Sequence, residues 1–134
     1  YGTNTLNDCK KYGIDALKIL GTNDAIEIGK IVWGLNLEFL LSGPVVAIFF
    51  EGLHAIENVR TLCGSTIPLN AIPGTIRGDF SLDSAIGADL RKRTIYNLVH
   101  ASGSKDEAKR EISLWFSKKE LFSYKRIHED LYRY

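Results

Sequence analysis

The stretch NLVHAS, residues 97 to 102, puts a titratable imidazole where an apolar run stops. Leu98 and Val99 suit a buried strand, Ala101 and Ser102 are small enough to let another group approach, and His100 stands at the strand end. Glu111 lies on the helix that follows, and the turn between Ser102 and Ser104 folds that helix back, so its carboxylate can reach one ring nitrogen. Such a bond fixes the tautomer and leaves the other nitrogen free to attack. Arg60, Thr66 and Arg77 supply two guanidinium groups and a hydroxyl in or beside glycine-punctuated turns. That chemistry holds phosphate oxygens and spreads developing charge. A plainer reading stands beside it: the histidine as a satisfied structural group at a strand end, each arginine as half of a surface ion pair.

The elements that would position these groups follow from pattern. Asn4 to Gly13 reads as a short polar helix ending at a glycine, and Ile14 to Leu20 as an apolar connector. Thr22-Asn23-Asp24 is N-cap material for a long amphipathic helix carrying Ile26, Ile28, Ile31, Val32, Leu35, Phe39 and Leu40, stopped by Ser42-Gly43-Pro44. PVVAIFFEG then gives six apolar residues in a row, the composition of a strand over 44–50 buried on both faces. His54 to Cys63 spaces Ile56, Val59 and Leu62 as one helical stripe closed by Gly64. Ser65 to Ser84 is a glycine- and proline-punctuated loop, long enough to be functional or disordered. Ser81 to Thr94 reads as irregular, ending in the basic run Arg91-Lys92-Arg93, and Ile95 to His100 as the second strand. Ser104 to Phe116 is a helix with a capping box from Ser104 and Glu107 and an inner face of Ala108, Ile112 and Trp115. The tail, 117–134, is polar with aromatic anchors.

At 134 residues, 45% hydrophobic and 25% charged, the chain has the balance of one globular domain. Lys plus Arg number 17 against 16 Asp plus Glu, so no global field steers it to nucleic acid or an anionic membrane, and any anion site is local. Cys9 and Cys63 have no metal-like spacing and suit free thiols in a reducing, cytoplasmic setting. The apolar run near 44–50 is far short of a membrane span, and no secretory pattern opens the chain. The sequence starts at Tyr1 and has no Met, which suits a processed or partial chain. GTIRGDF is not a P-loop, since the lysine and hydroxyl of that motif are missing. His54 and His128 sit in polar surroundings with no ligand-spaced partner and read as surface residues.

SGPVVAIFFEG, PGTIRGDF and NLVHASGSKDEAKREISLWF resemble the central and C-terminal blocks of the nucleoside diphosphate kinases, over about residues 23 to 124. The resemblance implies an α/β (α+β) fold, a ferredoxin-like antiparallel αβ sandwich that is incomplete in this chain. It also implies a ping-pong exchange in which a nucleoside triphosphate such as ATP phosphorylates a histidine and a nucleoside diphosphate collects the phosphoryl group. His100 resembles the phosphoryl acceptor, Glu111 the carboxylate that orients it and Ser102 a supporting hydroxyl. Arg60, Thr66 and Arg77 resemble the phosphate-holding side chains, and Asn97 the amide that meets the sugar hydroxyl. Mg²⁺ would ride on the nucleotide, with no protein metal cage, and the chain would form a homo-oligomer, a tetramer or hexamer. Val32, Trp33 and Asn36 occupy the region of base recognition, Val32 reading rather as core packing. The alternative is a non-catalytic nucleotide-binding or assembly subunit of the same fold.

The sequence also departs from the family pattern. The first strand and helix with their Lys-Pro-Asp-Gly-type segment, and the second strand, have no counterpart in it. In a β-α-β-β-α-β sandwich the first strand lies between those at 44–50 and 95–100. Left unpaired, their buried polar groups would cost about 1–3 kcal/mol each. The expectation is a chain that needs a further segment or a replacement to fold. Residues 81–94 read as an insertion of about ten residues, at little closure cost, whose 91–93 run is a solvated loop or lies over the nucleotide or a subunit contact.

Overall fold

A computed structural model describes residues 1–124. Among these residues the chain forms seven α-helices and two short 3₁₀ turns. Side-chain caps set most of the helix starts. Asp15 accepts from the Leu17 and Lys18 amides to begin α2 (Ala16–Leu20), and Asp24 from those of Ile26 and Glu27 to begin α3 (Ala25–Leu41). α1 (Gly2–Lys11) packs on α3 and on α6 (Ala85–Leu90). Close approach of α1 to α3 requires a glycine at position 2, where an added Cβ would run into the Ala25 carbonyl oxygen. The tightest part of the core is this junction, where Cys9 (2% exposed), Ile28 (0%) and Ala88 (2%) meet water least. Burial, then the nearby Asp89 and Asp8 charges, push the Cys9 thiol pKa up.

The remaining elements surround the histidine segment. They are α4 (Ala55–Cys63), a 3₁₀ turn over Pro68–Asn70, α5 (Ile76–Phe80) and α7 (Lys105–Trp115), and a second 3₁₀ turn over Lys118–Glu120 follows α7. In α7, Ser104 accepts from the Glu107 amide at 3.2 Å, while the Glu107 carboxylate accepts from Gly103 N–H at 2.6 Å. The reciprocal half of the expected capping box has moved one residue outward.

Several expectations need correction. The ferredoxin-like antiparallel αβ sandwich is overturned: the described residues contain no strand, and neither 44–50 nor 95–100 belongs to a ladder. A ladder needs a neighbouring backbone about 4.8 Å away. The 44–50 segment makes no backbone hydrogen bond among the described residues, and the polar groups of 95–100 are taken largely by side chains. The 44–50 run is not buried on both faces either, since Val46 is 87% exposed and Phe50 is open too. The connector 14–20 contains α2, the long loop contains α5, and 81–94 is ordered around α6. The stripe of α4 is half-buried at Ile56 and Val59 and open at Leu62, with Cys63 its buried residue, and α7 buries none of Ala108, Ile112 or Trp115 fully. His128 and the tail beyond residue 124 lie outside the described residues.

Candidate functional site

His100 is reached through an unusual stretch of backbone. Asn97 N–H donates to the Ile95 carbonyl at 3.0 Å, and Val99 N–H to the Asn97 carbonyl at 2.8 Å. The second bond closes a three-residue turn about Leu98, which takes φ 68. A side chain there costs about 1–3 kcal/mol unless its surroundings hold it.

Arg77 supplies much of that hold. Only 6% exposed, it donates from Nε to the Asn97 carbonyl (3.1 Å), from Nη2 to that of Val99 (2.6 Å) and from Nη1 to that of Gly64 (2.7 Å). Its helix starts where Thr75 accepts from Gly78 N–H, and Gly78 is needed because a Cβ would strike the Ile72 carbonyl oxygen. Burial lowers the Arg77 pKa, and the positive charge of Arg60 acts in the same direction. Arg60, exposed on α4, donates to the Ala101 carbonyl at 3.4 Å. Two guanidinium groups therefore brace the backbone on either side of His100.

The ring is steered from the other side. His100 Nε2 lies 2.9 Å from Glu111 Oε1, and Ser102 Oγ donates to Glu111 Oε2 at 2.6 Å. Burial raises the Glu111 pKa, but the bonds from Ser102 and His100, with the His100 and Arg110 charges, outweigh it and hold the carboxyl below its ordinary value. An ionised carboxylate can only accept, so Nε2 carries the proton in this bond and Nδ1 is the nitrogen left for chemistry. The imidazole is 71% exposed and Glu111 22%, giving a fixed base behind an open ring. This arrangement can hold a nucleophilic nitrogen toward solvent.

The other sequence candidates are placed less directly. Asn97 Nδ2 donates to the Thr66 carbonyl at 3.5 Å, joining the two residues through backbone rather than through the threonine hydroxyl. Asn36 is bonded to the Thr94 hydroxyl, Trp33 is exposed and Val32 half-buried. Within the basic run, Arg93 is committed to Asp83, while Arg91 and Lys92 are exposed.

Sequence reasoning assigned Glu107 only to a helix cap. In the structure His100, Glu107 and Glu111 bring one ring nitrogen and two carboxylate oxygens within 4.8 Å of one another. The same groups already take part in the hydrogen bonds of His100, Ser102 and Gly103. Spacing gave a signal, since 107 and 111 are one helical turn apart.

A carboxylate-steered histidine braced by guanidinium groups defines a histidine-centred site open to an anionic substrate. The chain belongs to the nucleoside diphosphate kinase family, whose model matches residues 25–121. It is 43% identical over 120 residues to a nucleoside diphosphate kinase of Pyrobaculum aerophilum, covering 90% of this chain and 66% of that one. To its counterpart from Borreliella burgdorferi it is 46% identical over 98 residues, covering 73% and 59%. The chain thus spans less than two thirds of these relatives' own length. Its backbone follows the crystal structure of an NDP kinase from Pyrobaculum aerophilum with a TM-score of 0.87 at 43% identity, covering 91% of this chain and 67% of that one. A second solved structure, a transition-state mimic of the Borrelia burgdorferi enzyme with bound vanadate and ADP, matches with a TM-score of 0.56 at 50% identity, covering 58% and 46%.

Proposed function

We propose that the chain carries the phosphohistidine site of a nucleoside diphosphate kinase. The observation that carries this is the 2.9 Å contact from His100 Nε2 to a Glu111 carboxylate itself anchored by Ser102, on a ring that stays largely exposed. The Nδ1 lone pair attacks the γ-phosphorus of a nucleoside triphosphate. The bond to the β–γ bridging oxygen breaks, and its electron pair leaves with the nucleoside diphosphate. A second nucleoside diphosphate then takes the phosphoryl group through a terminal oxygen of its β-phosphate, returning the imidazole. A loose transition state needs alignment and positive charge more than acid or base, so rigid presentation of one nitrogen is the main requirement.

Glu111 and Ser102 fix the ring in this reading. Arg60, Thr66 and Arg77 face the phosphates, and Asn97 the sugar. For Arg77 the contribution is its charge and the N–H groups left over from three carbonyl bonds. The Glu107 and Glu111 carboxylates are already engaged with Gly103, Ser102 and His100, which supports Mg²⁺ arriving on the nucleotide phosphates rather than in a protein cage. Bound there, Mg²⁺ would neutralise phosphate charge. The same reading takes 1–134 as one domain with 81–94 inserted, in a cytoplasmic homo-oligomer, tetramer or hexamer, with no nucleic-acid partner. Among the described residues no helix is long and apolar enough to cross a membrane.

Incubation with γ-labelled ATP should place acid-labile, base-stable phosphate on the full chain, and His100→Ala should abolish it without unfolding. Folded protein that stays unlabelled would refute the reading. The commitment of three Arg77 N–H groups to backbone carbonyls favours one alternative, a nucleotide-binding subunit without turnover. Nucleotide binding by calorimetry with no phosphohistidine would select it.

A further inference from the structure

The 81–94 stretch is not used by the chemistry above, yet it makes a dense polar cluster on the histidine segment. Asp83 Oδ2 accepts from Arg93 Nη1 at 2.6 Å and from Tyr96 N–H at 2.7 Å. Its Oδ1 accepts from Arg93 Nη2 at 3.0 Å and from Ser84 N–H at 2.9 Å. A carboxylate has about four lone-pair sites, and here all are filled. Ser81 Oγ donates to the Tyr96 carbonyl at 2.7 Å, so both polar groups of residue 96 are held by side chains of this stretch.

The cluster is anchored on two further sides. Leu69 N–H donates to the Asp83 carbonyl at 3.0 Å. The Arg93 guanidinium lies 4.1 Å over the Tyr96 ring, which stacks on Phe39 of α3 at 4.8 Å between centroids. Residue 96 immediately precedes the tight turn about Leu98, four residues before His100.

We propose that Asp83, with Ser81 and Arg93, is a positioning residue for the histidine: it fixes the start of the 96–100 segment so that the ring meets Glu111 through Nε2 and leaves Nδ1 for attack. This rests on the phosphohistidine reading. Side chains here do what a neighbouring strand does in a sheet, and do it for the segment whose placement sets the attack geometry. Asp83 acts through the backbone and touches neither the ring nor, in this reading, the nucleotide. It should therefore affect the rate of phosphoryl transfer rather than nucleotide affinity.

The test measures single-turnover labelling of His100 and nucleotide affinity in the full chain, alongside imidazole ¹⁵N shifts. Asp83→Ala should slow labelling about tenfold or more, with affinity changed less than twofold and the Nε2-protonated, Glu111-bonded ring less populated. Asp83→Glu, which keeps the charge, should recover part of the rate. A folded Asp83→Ala protein with unchanged labelling rate and ring shifts overturns the proposal, as does a loss lying wholly in affinity. Should Asp83→Ala fail to fold, Ser81→Ala, which removes one bond to Tyr96, decides: a slower rate at constant affinity supports the positioning role, and an unchanged rate overturns it. An unsubstituted protein that takes no label on His100 instead refutes the phosphohistidine reading beneath it.

Discussion

Residues 44–50 and 95–100 have the same strand-like composition and end differently. The first is apolar on both faces and finds no backbone partner among the described residues, so it stands exposed from Val45 to Phe50. The second also lacks a ladder, but Arg77, Ser81 and Asp83 hold its backbone. The difference lies in what surrounds each. Charged and hydroxyl side chains at 77, 81 and 83 converge on one segment and none converges on the other. Composition decides whether a stretch can be extended, and partners decide whether it is held.

The contrast can be broken most forcefully at Arg77. Arg77→Ala would leave the carbonyls of Gly64, Asn97 and Val99 without their charged donor, and should cost about 3–5 kcal/mol in denaturant unfolding. Arg77→Lys should recover little, because an ammonium cannot reproduce the guanidinium fork. An Arg77→Ala protein with an unchanged midpoint would mean that the histidine segment is held by something else.

Hydrogen exchange sharpens the comparison next. The Tyr96, Asn97 and Val99 amides should exchange more slowly than those of 45–50, since only the former are bonded. Acid should narrow that gap. The Arg93 hydrogen bonds, against a burial cost, and then those from Tyr96 and Ser84 hold Asp83 down at about 2. A depressed carboxyl stabilises above its unfolded pKa, near 3.9, and loses that contribution as pH falls through its folded value. Protection at Tyr96 should thus begin to fall as pH drops below about 4 and be largely lost near pH 2, while exchange at 45–50, corrected for intrinsic rate, stays the same.

The smallest effect is expected at Val46. At 87% exposed it should accept Val46→Lys with a change within about 0.5 kcal/mol, while the added charge lowers self-association. A large loss of stability would show that 44–50 is covered in solution.

Much of the helical framework was legible. α3 and α7 announce themselves by periodicity, and Asp24 and Ser104 by their places before it. α2, α5 and α6 were missed because five or six residues are too few to show a 3.6-residue period. Their caps, Asp15, Thr75 and Ser84, were the available signal. The strands misled because alternation and β-branching report a tendency, whereas a sheet is a property of at least two segments. At the site, the turn after Ser102 made it possible to read that α7 brings Glu111 towards the ring. The burial of Arg77 and the filling of the Asp83 carboxylate were not legible, since both depend on carbonyls and amides that a list of side chains does not contain.

The most direct test of the central claim is which nitrogen of His100 receives phosphate. With Nε2 on Glu111, ³¹P–¹⁵N correlation on protein labelled with a nucleoside triphosphate should find the phosphoryl group on Nδ1. Phosphate on Nε2, or on a residue other than His100, would contradict it.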